Sequence, residues 1–151
     1  NTELLKQGLM QSLLTEGIGH TEYKQTNLGC IPKKWKMTLS SKICERITDG
    51  THDTPEKTEQ GYPLITSKNL RNGEIFFDDS YLISEKDFYE VNKRSKVDSN
   101  DLLISMIGTL GQVAIVNKSY PKVAIKNVGL LKFNEDKVMA KWFYYLFNSY
   151  N

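Results

Sequence analysis

The chain has 151 residues, 39% of them hydrophobic and 25% charged, with 20 basic against 18 acidic side chains. That length and composition fit one folded domain with a core of its own and exclude a disordered tail. The net charge of +2 does not announce a nucleic-acid binder, but a basic face can be offset by acid elsewhere, so it does not exclude one.

Residues 2–16 read as a helix, because Leu5, Leu9 and Leu13 recur at a spacing of four beside Leu4, Met10 and Leu14. Gly8 lies in its middle and costs about 1 kcal/mol relative to alanine. A helix this short is marginal alone, so the leucine stripe needs a partner, and a helix–helix seam is the expected one. Residues 17–34 are rich in Gly, Thr, Asn and Lys without periodicity and read as a linker or extended lead-in. The domain proper is expected over 35–151.

From Trp35 onward short apolar or alternating runs predict strands: 63–66, 74–77, 81–83, 102–107, 112–116 and 128–133, most of them bounded by turn residues. Ser84 with Asp87 three residues on predicts a capped helix through Phe88 and Val91. A second helix is expected from near Asn134 through Phe147. The fold class is α+β, built on a curved, mostly antiparallel sheet with short helices.

The stretch "ITDGTHDTP", residues 47–55, is polar enough to read as a loop. Asp49 and Thr51 would close a turn, Gly50 would supply a positive φ and Pro55 would end the segment. Metal binding or nuclease chemistry would need partners for His52, and Asp49 and Asp53 around a single histidine form a weak metal signature. Glu22-Tyr23-Lys24 and Glu135-Asp136-Lys137 have the ExK form of some nucleases, but neither follows a Pro-Asp strand. "IGTLGQVAI", residues 107–115, contains a GxxG resembling the RNA clamp of KH domains. That clamp joins two helices, whereas strand-like runs flank this one, so a hairpin with Gly108 and Gly111 at its tight positions reads better. Walker A and methyltransferase motifs are absent.

Cys30 and Cys44 make no CxxC pair, which argues against a zinc finger, and two free thiols suit a reducing cytoplasm. No apolar run approaches the ~20 residues that span a membrane, and the N-terminus lacks the features of a signal peptide. The chain starts without methionine and stops inside an aromatic helical pattern, as expected of a piece of a longer polypeptide. What remains is a set of basic, hydroxyl- and amide-bearing loops, "KKWK" (33–36), "TSKNLRNG" (66–73) and "NKRSK" (92–96). Such groups bind phosphates and read base edges.

The order of the pieces resembles the specificity (S) subunits of type I restriction-modification systems. "LKQGLMQSLLTEG" resembles their conserved spacer helix and "LGCIPKKW" their GxIPxxW lead-in. "ITDGTHDTP", "GYPLITSKNLRNGEI", "ISEKDFYEVNKRSKVDSNDLLISMIGTLGQVAIV" and "VGLLKF" resemble one target recognition domain. The spacer of that family often continues into Lys-Ile-Arg, where this chain has "EGIGHT", and a full S subunit carries two recognition domains and two spacers.

The resemblance implies a non-catalytic subunit that reads one half of a bipartite double-stranded DNA target. Methyltransferase (M) and restriction (R) subunits would be its partners. S-adenosylmethionine, magnesium and ATP would belong to those partners, and this chain would hold no cofactor or metal. A motif shared by domains that read different sequences is a poor base discriminator. Thr51, His52 and Thr54 are therefore expected to scaffold the loop or touch the DNA backbone, with Lys33, Lys34, Lys96 and Thr109. Base readers are expected among Thr66, Ser67, Lys68, Asn69 and Arg71, then Asn92, Lys93 and Arg94. Leu5, Leu9 and Leu13 would form the seam with another spacer helix, or with a second copy of the chain. A protein-interaction fragment with little DNA binding of its own is the alternative reading, ahead of a KH-like RNA binder or a metal nuclease.

Overall fold

The computed structural model describes residues 2–134 and 136–149. Asn1, Glu135, Tyr150 and Asn151, parts of the expected spacer, ExK tripeptide and C-terminal segment, lie outside the described residues.

Helix α1 spans Thr2–Thr15 and lies against the lead-in and the last helix, with Leu5, Leu9 and Leu13 still exposed. The supposed linker is more ordered than its composition suggested. Strands β1 (Tyr23–Thr26) and β2 (Gly29–Pro32) form an antiparallel hairpin. The Thr26 hydroxyl donates to the Gly29 carbonyl at 2.7 Å and closes its turn. His20 gains a partner: Trp35 Nε1 donates to its Nε2 at 3.2 Å with the rings edge to face. Lys24 Nζ donates to the Trp35 carbonyl at 2.6 Å, so the lead-in is clamped from both sides.

The body begins with β3 (Arg46–Asp49). Residues 47–49, read as loop, are therefore strand, and their polarity reflects an edge position beside β11. Next come β4 (Tyr62–Ile65), β5 (Leu70–Arg71), β6 (Glu74–Ile75), β7 (Tyr81–Ile83) and helix α2 (Glu85–Ser95). Ser84 caps α2, its hydroxyl accepting from the Asp87 amide at 3.1 Å. Residues 92–95, expected in a loop, are the last turn of this helix. Strands β8 (Leu102–Ser105), β9 (Val113–Ile115), β10 (Ala124–Ile125) and β11 (Val128–Lys132) follow, then helix α3 (Lys137–Asn148). Asp136 caps α3 by accepting from the Val138 and Met139 amides, which sets the helix start three residues beyond Asn134.

The main sheet has the order β3-β11-β8-β9, antiparallel throughout. A second sheet, β10-β4-β7, pairs β10 parallel to β4 and β7 antiparallel to it. The two meet where Thr51, just past β3, bridges Lys126, just past β10. Successive side chains on a strand point to opposite faces, and both faces of the main sheet are covered. Leu103, Ala114 and Leu130 join the apolar cluster that also holds Ile65 and Ile125 of the second sheet. Leu102, Val113 and Leu131 meet Ala140 and Phe143 of α3. Burial on both faces explains why these strands read as continuous apolar runs rather than alternating ones. Helix α2 covers the second sheet, where Phe88 stacks on Tyr62 with ring centroids 3.9 Å apart.

Candidate nucleic-acid interface

Four chain segments converge where the two sheets meet. The first is the loop after β3. Gly50 does not supply the positive φ expected of it. Its requirement is close approach, because a Cβ there would lie 2.2 Å from the Ile125 carbonyl oxygen. Thr51 donates its amide to Ile125 at 3.0 Å, and its hydroxyl accepts from the Asp53 amide at 3.2 Å. The loop is thus built onto β10 and turned by its own side chain. His52, largely exposed, stands between Asp49 Oδ2 at 2.9 Å from Nε2 and Asn127 Oδ1 at 2.8 Å from Nδ1. Lys126 Nζ donates to the Thr54 hydroxyl.

The second segment runs from Thr66 to Gly73. Ser67–Asn69 form a single 3-10 turn closed by a capping box. The Asn69 Oδ1 accepts from the Thr66 amide at 2.8 Å and from its hydroxyl at 2.9 Å, while Nδ2 donates to the Phe76 carbonyl at 2.9 Å. Asn69 is fully buried, and this corrects its place among the base readers: its polar atoms are committed to the loop. Thr66 is tied up in the same box. Lys68 and Arg71 remain exposed, with Arg71 3.0 Å from Asp79 and over the Phe76 ring. Asn72 and Gly73 both take positive φ, the requirement of the tight β5–β6 hairpin.

The third segment is the β8–β9 hairpin tip, where Gly108 and Gly111 take the positive φ expected of them. Buried Ser105 holds the tip: its hydroxyl donates to the Thr109 carbonyl at 2.5 Å and accepts from the Gln112 amide at 2.8 Å. Two strands, not helices, flank the GxxG. The fourth segment is the β10–β11 turn, where Asn127 takes φ 51°. Ser67 joins the last three segments, since its hydroxyl donates to the Asn127 carbonyl at 3.1 Å and accepts from the Ile107 amide at 3.4 Å. Ser67, Lys68, Arg71, Ile107 and Thr109 line one cleft of about 460 Å³.

The remaining expected residues distribute unevenly. Arg94 reaches the β3 loop by pairing with Asp49, and with Thr51, His52 and Glu90 it lines a cleft of about 230 Å³. Lys93 pairs with Glu90 on its own helix at 2.6 Å. Asn92 turns inward, donating to the Val123 carbonyl at 3.4 Å with its Oδ1 buried. Lys96 pairs with Asp98 at 2.7 Å. Lys33 pairs with Glu22 in the lead-in at 3.4 Å, and no described contact ties Lys33 or Lys34 to the four segments. Sequence reading missed Lys126 and Asn127. An asparagine just before an apolar strand is their only local signal, and it does not reveal partners 60 and 75 positions away.

The family model for the type I restriction modification DNA specificity domain matches residues 32–151. The MjaIX specificity subunit of Methanocaldococcus jannaschii is 30% identical over 134 residues, which cover 85% of this chain and 30% of that one. The EcoBI specificity subunit of Escherichia coli is 29% identical over 91 residues, covering 58% of this chain and 19% of that one. The fold is similar to part of the HsdS subunit from Thermoanaerobacter tengcongensis, with a TM-score of 0.64 at 15% identity over 98% of this chain and 33% of that one. This chain therefore spans about a third or less of the relatives it matches. The ordered sequence motifs, the two joined sheets and these matches converge: the chain belongs to the type I restriction modification DNA specificity domain family.

Proposed function

We propose that this chain acts as one target recognition domain, reading one half of a bipartite DNA target with the surface where the four segments meet. The observation that carries the reading is the Ser67 junction, which locks three segments together beside exposed Lys68 and Arg71 and half-buried Lys126. Rigid placement of cations and hydroxyls is what phosphate contact and groove readout require. Lys68 and Arg71 are the base-reading candidates, and Lys126, Thr109 and the Thr51–Thr54 loop the backbone contacts. The chain carries no chemistry of its own under this reading. It works in the cytoplasm and directs methyltransferase and restriction subunits, which hold S-adenosylmethionine, magnesium and ATP. Residues 1–16 are the end of a spacer, 17–34 the lead-in and 35–151 the recognition domain.

Exposed Leu5, Leu9 and Leu13 favour a second reading, in which α1 docks on another spacer helix or a second copy and DNA binding alone is weak. Titration of the full chain with duplex DNA at rising salt separates the two. A log–log slope of several units marks phosphate contact by the recognition surface. No retention at low salt leaves only the interaction reading.

A further inference from the structure

The tip of the β8–β9 hairpin is apolar where a solvent-facing turn is usually polar. Ile107 is 52% exposed and Leu110 65%, with Met106 beside them at 45%. None of the three belongs to the apolar clusters of the core, and each leaves about half or more of its surface unused by this chain's own packing. The tip that carries them is nonetheless fixed, by the Ser105 bonds to Thr109 and Gln112 and by the Ile107 amide on Ser67. Lys68 and Arg71 share its cleft. A rigid apolar point flanked by cations fits a base stack bordered by phosphates, since the cations match the backbone and the apolar side chains match base faces.

We infer that Leu110, backed by Ile107, is an apolar wedge that presses into a base step of duplex DNA and partly unstacks it. This rests on the DNA reading above and adds the way the tip meets the duplex. The charge beside the tip favours DNA over a protein surface as its occupant.

The test uses the full chain and a duplex that it recovers from a randomised pool, with 2-aminopurine replacing each adenine in turn. Fluorescence is expected to rise several-fold at one step on binding. Leu110→Ala should abolish that rise and weaken binding by about tenfold, while Leu110→Met keeps most of both. The side chain is solvent-exposed, so the melting temperature of Leu110→Ala should match that of the parent. A duplex bound with flat fluorescence throughout, or a rise that survives in Leu110→Ala, overturns the wedge and leaves the DNA reading standing. Failure to bind any duplex overturns the DNA reading and the wedge with it.

Discussion

The Ser67 hydroxyl donates to the main-chain carbonyl of Asn127, 3.1 Å away in space and 60 positions away in sequence. The amide oxygen of the same asparagine lies 2.8 Å from His52 Nδ1, so one short turn joins the loop after β3 to the loop before β5. Ser67→Ala should cost about 0.5–1.5 kcal/mol of stability, the net worth of such a bond. It should also weaken binding to all DNA sequences alike, because it loosens a scaffold and removes no base contact. Urea denaturation beside a titration on two unrelated duplexes measures both.

The cations of the proposed interface should divide into two kinds. Lys126→Ala is expected to weaken every sequence similarly and to lower the salt slope by about one, as loss of a phosphate contact does. Arg71→Ala is expected to cost about 1–3 kcal/mol on the preferred sequence and to relax preference at one base position. Affinity measured on single-base variants of the preferred duplex distinguishes them.

Much of the architecture was legible in the chain. The six strand runs, the Ser84 cap and the glycine hairpin at 108–111 all follow from local rules. Much of what escaped depended on distant partners. Residues 47–49 looked like loop because their pairing partner, β11, lies about 80 positions away and edge strands tolerate polar residues. Residues 92–95 looked like loop because a final helical turn that exposes Lys93 and Arg94 carries the same polar residues. Asn69 looked like a base reader because the sequence does not say which amides are buried. Gly50 was read as a φ requirement, whereas its neighbour is the Ile125 backbone, which no local pattern reveals.

Gly50→Ala should destabilise the protein near the upper end of the ~1–3 kcal/mol usual for overpacking. The added Cβ meets backbone at 2.2 Å, and backbone cannot swing aside as a side chain can. Thermal melting checks the stability, and amide exchange at Thr51 and Lys126 locates the damage. A change confined to the N-terminal hairpin would contradict this account.

Lys132, mostly buried, donates to Asp101 at 2.6 Å and to Asp98 at 2.9 Å. Burial pushes its ammonium down, but the two carboxylates outweigh it and hold the group above its ordinary value. Burial pushes the Asp101 carboxyl up, and Lys132 offsets that only in part. Since the folded value of Lys132 is raised, its contribution is complete below pH 10.5 and is lost as pH climbs through the folded value. Lys132→Met should therefore cost about 3–5 kcal/mol at neutral pH by stranding Asp101. The stability difference from the parent should shrink as pH rises above 10.5. Denaturation profiles across pH 7–11.5 compare the two, each point referred to the parent at the same pH (range chosen to bracket the ~10.4 reference value of lysine).

The central claim is that this surface reads DNA sequence. The measurement that tests it most directly is selection of the full chain against a pool of randomised duplexes at low and physiological salt, followed by sequencing. Enrichment of one short motif, relaxed at one base position in Arg71→Ala and kept in Lys126→Ala, is the predicted result. Uniform retention of all sequences at both salts, unchanged by either substitution, would contradict it.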